Sequence, residues 1–203
     1  MIKAVVFDYG EVISFKPAEE TGRELARIAG LQQEVLDTLR WQIRSEFDRG
    51  VLSGKEYYKK VLALAGVTAS DEVAEKMARM DVEGWKRINE GTVALMKEIK
   101  NAGLILGVLS NMPHEFLGMA RESLPVFKLY DVGIFSCELN FIKPEREIYL
   151  ALIEKLGCKS EEIVFFDDIK VNVDGAAALG VNAYVWKDAG TARKTLLELG
   201  VLS

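Results

Sequence analysis

Short apolar runs recur along the chain at Lys3–Phe7, Leu104–Leu109, Asp131–Phe135, Ile163–Phe166 and Ala183–Trp186. They lack polar alternation, the pattern of strands covered on both faces in a parallel sheet. Between them, Thr92–Ala102, Pro144–Leu156 and Val171–Leu179 read as helices, and each stops at a glycine, Gly103, Gly157 or Gly180. A glycine past the last turn admits the left-handed conformation that ends many helices. Strand and helix in alternation predict an α/β fold built on a doubly wound, Rossmann-like parallel sheet.

Pro17 to about Trp85 breaks the alternation. Pro17–Ala29 reads as a helix with proline in its first turn and Gly30 past its end. Gln32–Arg49 places Val35, Leu39, Ile43 and Phe47 at four-residue steps, one apolar face of a second helix. Ser53-Gly-Lys-Glu56 spells a capping box and opens a third, ending at Gly66, and Ser70–Met80 forms a fourth. A small all-helical cap, residues 16–85, is thus expected to be inserted after the first strand of a core formed by residues 1–15 and 86–203.

A chain of 203 residues has room for one core and such a module. A formal net charge of -5 with no basic stripe argues against a nucleic-acid partner. No apolar run approaches the roughly 18–20 residues that span a bilayer, so no membrane partner is expected. Met1–Asp8 is too short and ends too acidic for a secretion signal. Cytosolic residence and a monomeric state are the starting expectations. Cys137 and Cys158 have neither CxxC spacing nor a neighbouring histidine, which argues against structural zinc.

In open α/β sheets, ligands bind beyond the carboxyl ends of the strands. This sequence places Asp8-Tyr-Gly-Glu-Val after the first run and Ser110-Asn111 after the second. Lys143 stands before the helix at Pro144, and the pair Asp167-Asp168 follows the fourth run. Singly, each has an ordinary explanation: a turn aspartate, a helix start, a solvated lysine. The adjacent carboxylates are harder to explain, because at a buried strand end they repel unless a cation or a lysine offsets them.

In that order, Phe7-Asp8-Tyr9-Gly10-Glu11-Val12, Ser110-Asn111, Lys143-Pro144 and Phe166-Asp167-Asp168 resemble the four motifs of the haloacid dehalogenase superfamily. Asn172–Gly180 resembles the helix after the fourth motif, and the helical insert sits where a C1-type cap would. The Phe-Asp-x-Gly-x-Val spelling is similar to a phosphatase-like branch with sugar-1-phosphate phosphatases and the N-terminal domains of epoxide hydrolases. The resemblance implies a Mg2+-dependent hydrolase of a small-molecule phosphate ester, with Asp8 as nucleophile and an aspartyl-phosphate intermediate. It implies metal ligands from the Asp8 carboxylate, the Gly10 carbonyl and Asp168, with Asp167 alongside, directly or through a water. Ser110 would hold phosphate oxygens, Lys143 would offset charge, and the Asn111 amide would assist. Cap opening is implied too, with hinges near Ser14–Pro17 and Glu83–Glu90.

One departure matters. Two residues after the nucleophile, the usual phosphatase motif has a second aspartate that shuttles protons, and here that position is Gly10. Such a group contributes about 10²–10⁴-fold to rate. Glu11 is adjacent, but its side chain is expected to point another way. Two consequences are open: preference for good leaving groups such as sugar-1-phosphates or acyl phosphates, or a proton supplied from substrate, cap or water. His114 is expected in the helix near Pro113 without a catalytic role, while Trp41 and Arg44 on the cap are candidates to face substrate. The rival readings are a metal-independent dehalogenase, which has no use for Asp167-Asp168, and a catalytically reduced binding or regulatory protein.

Overall fold

The computed structural model describes residues 1–202. Five strands, β1 (Ala4–Phe7), β2 (Ile105–Ser110), β3 (Val132–Phe135), β4 (Ile163–Asp167) and β5 (Asn182–Val185), form one sheet in the order β3-β2-β1-β4-β5. Every pairing is parallel. All five apolar runs are strands, with ends displaced by a residue or so. Asp131 stays outside β3 because its carboxylate accepts the Leu106 amide at 3.0 Å and pairs with Lys100.

Side chains leave β1 alternately. Val5 and Phe7 enter one apolar layer, closed by α6 (Glu90–Asn101), α7 (His114–Ser123) and α11 (Ala189–Glu198). Ala4 and Val6 enter the other, closed by α9 (Arg146–Leu156) and α10 (Lys170–Ala177). Both sheet faces are therefore dry, which is why the strand runs carry no polar alternation.

The insert is helical, as expected: α1 (Glu19–Ala29), α2 (Gln33–Gln42), α3 (Arg44–Asp48), α4 (Gly54–Leu64) and α5 (Asp71–Gly84). It has its own apolar centre, including Leu25, Leu36, Phe47, Tyr57, Tyr58 and Met77. The expected capping box at Ser53 and Glu56 is present. Three expectations need correction. Gln32–Arg49 is two helices, because Ile43 leaves helical geometry at φ -121° and ψ 12°. The buried residue on α2 is Leu36, while Val35 is 44% exposed. The fourth helix runs on to Gly84 and delivers Trp85 to the boundary with the core.

The chain leaves and rejoins the core at adjacent points. Ser14 and Ile88 form an antiparallel bridge, Phe15 donates to the Arg87 carbonyl at 2.7 Å, and Asn89 donates to the Ile13 carbonyl at 2.9 Å. On the far side, Asn140, after the short helix α8 (Ser136–Leu139), donates to the Arg49 carbonyl at 2.7 Å. Arg49 pairs in turn with Glu145, so the cap is held to the core at both ends.

The loop after β1 is fastened from α6, where the buried Thr92 hydroxyl donates to the Val12 carbonyl at 2.7 Å. Thr92→Val keeps the shape and leaves that carbonyl unmet. It should lower stability by about 1–2 kcal/mol in urea denaturation, with the slope unchanged.

Candidate active site

Parallel order brings the carboxyl ends of β1, β2 and β4 together, and the strand order reverses at β1. Asp8 follows β1, its amide donating to the Phe166 carbonyl of β4 at 2.9 Å. Ser110 ends β2 and Asp167 ends β4. Lys143 arrives from the loop before α9. All of Asp8, Ser110, Lys143 and Asp167 are buried.

The Lys143 ammonium lies 2.8 Å from Asp8 Oδ1 and 2.6 Å from Asp167 Oδ2, and donates to the Leu109 carbonyl at 3.1 Å. Asn111 holds the lysine's backbone from both sides. Its Oδ1 accepts the Lys143 amide at 2.8 Å and its Nδ2 donates to the Lys143 carbonyl at 3.1 Å. Asp167 is held as firmly: Oδ1 accepts from the Ile169 amide at 2.8 Å and from Asn172 Nδ2 at 3.0 Å. Both Asp167 oxygens therefore carry protein donors already. Asn172 was visible in the sequence as part of the motif-like helix, but its role was not. The signal was its position five residues after Asp167, on the first turn of α10.

Carboxyl oxygens of Asp8, Asp167 and Asp168 can lie within 4.8 Å of one another. One ammonium does not neutralise three carboxylates. Burial pushes the Asp8 carboxyl up to about 7, against the pull of Lys143 and with the repulsion of Asp167 and Asp168 added. Burial and the Asp167 charge push Asp168 up to about 6. Burial works against the Lys143 charge, but Asp8 and Asp167 outweigh it and hold that ammonium above the ordinary lysine value. A cluster of hard oxygen donors short of positive charge fits a small divalent cation.

Asp8, Ser110, Lys143 and Asp168 line a cavity of about 170 Å³ between core and cap, together with Gly10, Glu11, Asn111, Trp41, Arg44 and Trp85, while Asp167 lies behind them. Gly10 has φ -64° and ψ 132°, a conformation open to any residue. A Cβ there would stand 3.5 Å from Cζ3 of Trp85, an ordinary contact, so glycine is not required by backbone or by space at that atom. Glu11 does line the cavity, against expectation: its left-handed backbone, φ 55°, redirects the side chain, and its charge adds to the upward shift of Asp168. Trp41 is 66% exposed at the cavity and Arg44 is largely buried, paired with Asp48 at 2.8 Å. His114 is exposed at the start of α7, beside Gly50 and outside the cavity lining.

The haloacid dehalogenase-like hydrolase family matches residues 2–180, and the chain belongs to that family. It is a phosphatase-like hydrolase of that kind by its relatives. Phosphatase MT3486 of Mycobacterium tuberculosis is 27% identical across 99% of this chain and 96% of its own length. The sesquiterpene phosphatase astK of Aspergillus oryzae is 26% identical across 88% of this chain and 87% of its own. A family enzyme of Bacteroides thetaiotaomicron, solved with magnesium and inorganic phosphate, superposes with a TM-score of 0.75. At 21% identity it covers 93% of this chain and 96% of its own, and it has the same fold.

Lys143→Met removes the counter-charge of two buried carboxylates. It should lower stability by about 3–5 kcal/mol in chemical denaturation without added metal. Asn111→Ala, which only frees the lysine loop, should cost less than half as much.

Proposed function

We propose that this hydrolase cleaves a small phosphate ester with Mg2+ bound, through an aspartyl-phosphate on Asp8. The observation that carries the reading is the buried cluster itself: Asp8 held 2.8 Å from Lys143, with Asp167 and Asp168 beside it. Asp8 Oδ attacks phosphorus, the ester P–O bond breaks, and the alcohol oxygen leaves with the electron pair. Water then hydrolyses the acyl phosphate and restores the carboxylate.

When bound, the cation offsets the repulsion between carboxylate and phosphate. Asp8, Asp168 and the Gly10 carbonyl are the groups that would hold it. Asp167, with both oxygens engaged, would act from behind, fixing Lys143 and shaping the cation's surroundings. Lys143 offsets charge on the nucleophile and on the transferring group. Ser110 is the hydroxyl for a phosphate oxygen, and Asn111 serves chiefly to orient the lysine loop. The names of the near-full-length relatives and the magnesium and phosphate in the solved neighbour support this assignment.

Gly10 under the Trp85 indole leaves no carboxylic acid at the proton-shuttling position. Glu11, the next residue, lines the cavity but does not occupy that position. The reading therefore includes a preference for leaving groups that need less protonation, among them sugar-1-phosphates and acyl phosphates.

Phosphate release from acetyl phosphate, glucose 1-phosphate, phenyl phosphate and ethyl phosphate tests this. Release should require Mg2+, fall at least about 10³-fold in Asp8→Asn, and decline steeply as the leaving alcohol becomes more basic. Activity that survives Asp8→Asn would overturn the nucleophile. Efficient turnover of ethyl phosphate would overturn the leaving-group preference.

Mg2+ binding has its own readout. At a hundredfold excess over its dissociation constant, Mg2+ should add about 2.7 kcal/mol of stability, seen as a rise in Tm. Asp168→Asn should lose most of that rise while keeping the fold.

A further inference from the structure

The half of the cavity lined by the cap and by the segment leading into α7 is apolar, and its cations are paired. Trp41, Phe47, Val82, Trp85, Met112 and Phe116 supply its hydrocarbon surface. Its charged groups are spent on one another. Arg44 Nε lies 2.8 Å from Asp48 Oδ1 and its Nη1 3.4 Å from Asp81 Oδ2, while Arg40 Nη2 lies 2.8 Å from Asp81 Oδ1. Arg40 Nη1 also lies 3.1 Å from Asp37 Oδ1, so two guanidinium groups meet three carboxylates, and the Arg44 guanidinium also packs on the rings of Trp41 and Phe47, at 5.7 and 5.4 Å. The remaining cation of the lining, Lys143, is held by Asp8 and Asp167.

Trp85 adds an uncharged aromatic wall. Among the described residues, three buried side-chain polar atoms have no hydrogen-bond partner, and of these only Trp85 Nε1 belongs to a residue of the cavity lining. Its benzo edge covers Gly10, so the wall next to the leaving oxygen is indole.

We propose that the substrate is the monophosphate of an uncharged, mainly apolar, planar alcohol, such as an aryl or enol phosphate, seated against Trp41 and Trp85, and that esters with a second anionic group are rejected. The proposal rests on the phosphatase reading above and narrows its leaving group. A second phosphate or a carboxylate entering this half would find no free cation, and taking Arg44 would leave Asp48 and Asp81 buried with less than their full counter-charge. Such a desolvated, unpaired charge is what discriminates against the wrong ligand. A planar apolar group loses water against two indoles at no such cost, and a phenol or enol departs as an anion without an acid to protonate it.

A matched pair gives the test. Phenyl phosphate and 4-carboxyphenyl phosphate differ by one carboxylate, which makes the second the better leaving group on chemistry alone. With wild-type enzyme and Mg2+, kcat/KM should favour phenyl phosphate by about tenfold or more, chiefly through KM. Trp41 is 66% exposed, so Trp41→Lys should fold, and by placing an unpaired cation at the cavity it should narrow that ratio by about tenfold. A ratio of one or less in the wild type, or a ratio that Trp41→Lys leaves unmoved, would overturn the proposal. Acetyl phosphate, which has almost no organic part, separates the two levels. Asp8-dependent hydrolysis of acetyl phosphate with no discrimination within the pair would overturn this inference alone, whereas no hydrolysis of any of the three would overturn the phosphatase reading and this inference with it.

Discussion

The Lys143 ammonium, buried between Asp8 and Asp167, is the contact on which the rest of the site depends. Neither a lone lysine nor a lone aspartate is stable away from water, and together they are stable only if their geometry is fixed. Much of the surrounding loop structure does that fixing. Asn111 grips the lysine backbone from β2, Asn172 and the Ile169 amide grip Asp167 from α10, and the Leu109 carbonyl takes another ammonium proton. Asp168 and Asp8 then remain with more negative charge than the lysine can match. That imbalance is what a bound cation would offset under the proposed function, and only with it offset could an anionic phosphate approach.

The core was largely legible because its signals are local. Short apolar runs without alternation, glycines past helix ends and polar residues at strand ends are all contiguous in sequence, and parallel topology converts strand-end position into spatial proximity. Asp8, Ser110, Lys143 and Asp167 could thus be brought together on paper. What could not be read depends on orientation. Ile43 breaks a run of four-residue steps through its backbone angles alone, and that break turns Arg44 and Phe47 toward the site. Glu11 reaches the cavity only because its backbone is left-handed. Trp85 was legible as a residue near a boundary, yet its contact with Gly10 spans 75 positions and leaves no periodic trace.

The cap handles charge differently from the core. Arg40 and Arg44 are both engaged by the carboxylates of Asp37, Asp48 and Asp81, so neither guanidinium is free. Burial alone would raise the Asp81 carboxyl, but Arg40 and Arg44 hold it below the usual carboxylate range. On the proposed function the core side of the cavity would take the cation and, with it, the phosphoryl group, while the cap side offers chiefly shape and dispersion contact. One molecule must satisfy both halves, and that demand is stricter than either half alone.

The bridge between Ser14 and Ile88 has a consequence for how such a protein can change over time. Because the two crossings are hydrogen-bonded neighbours, the path from β1 to α6 is already closed before the intervening residues are counted. Lengthening, shortening or replacing the stretch between them alters loop entropy only slowly with length and leaves the register of β1 untouched. The insert therefore behaves as an interchangeable cassette, and descent with modification can redraw the outer wall of the cavity while the strand-end chemistry is inherited intact.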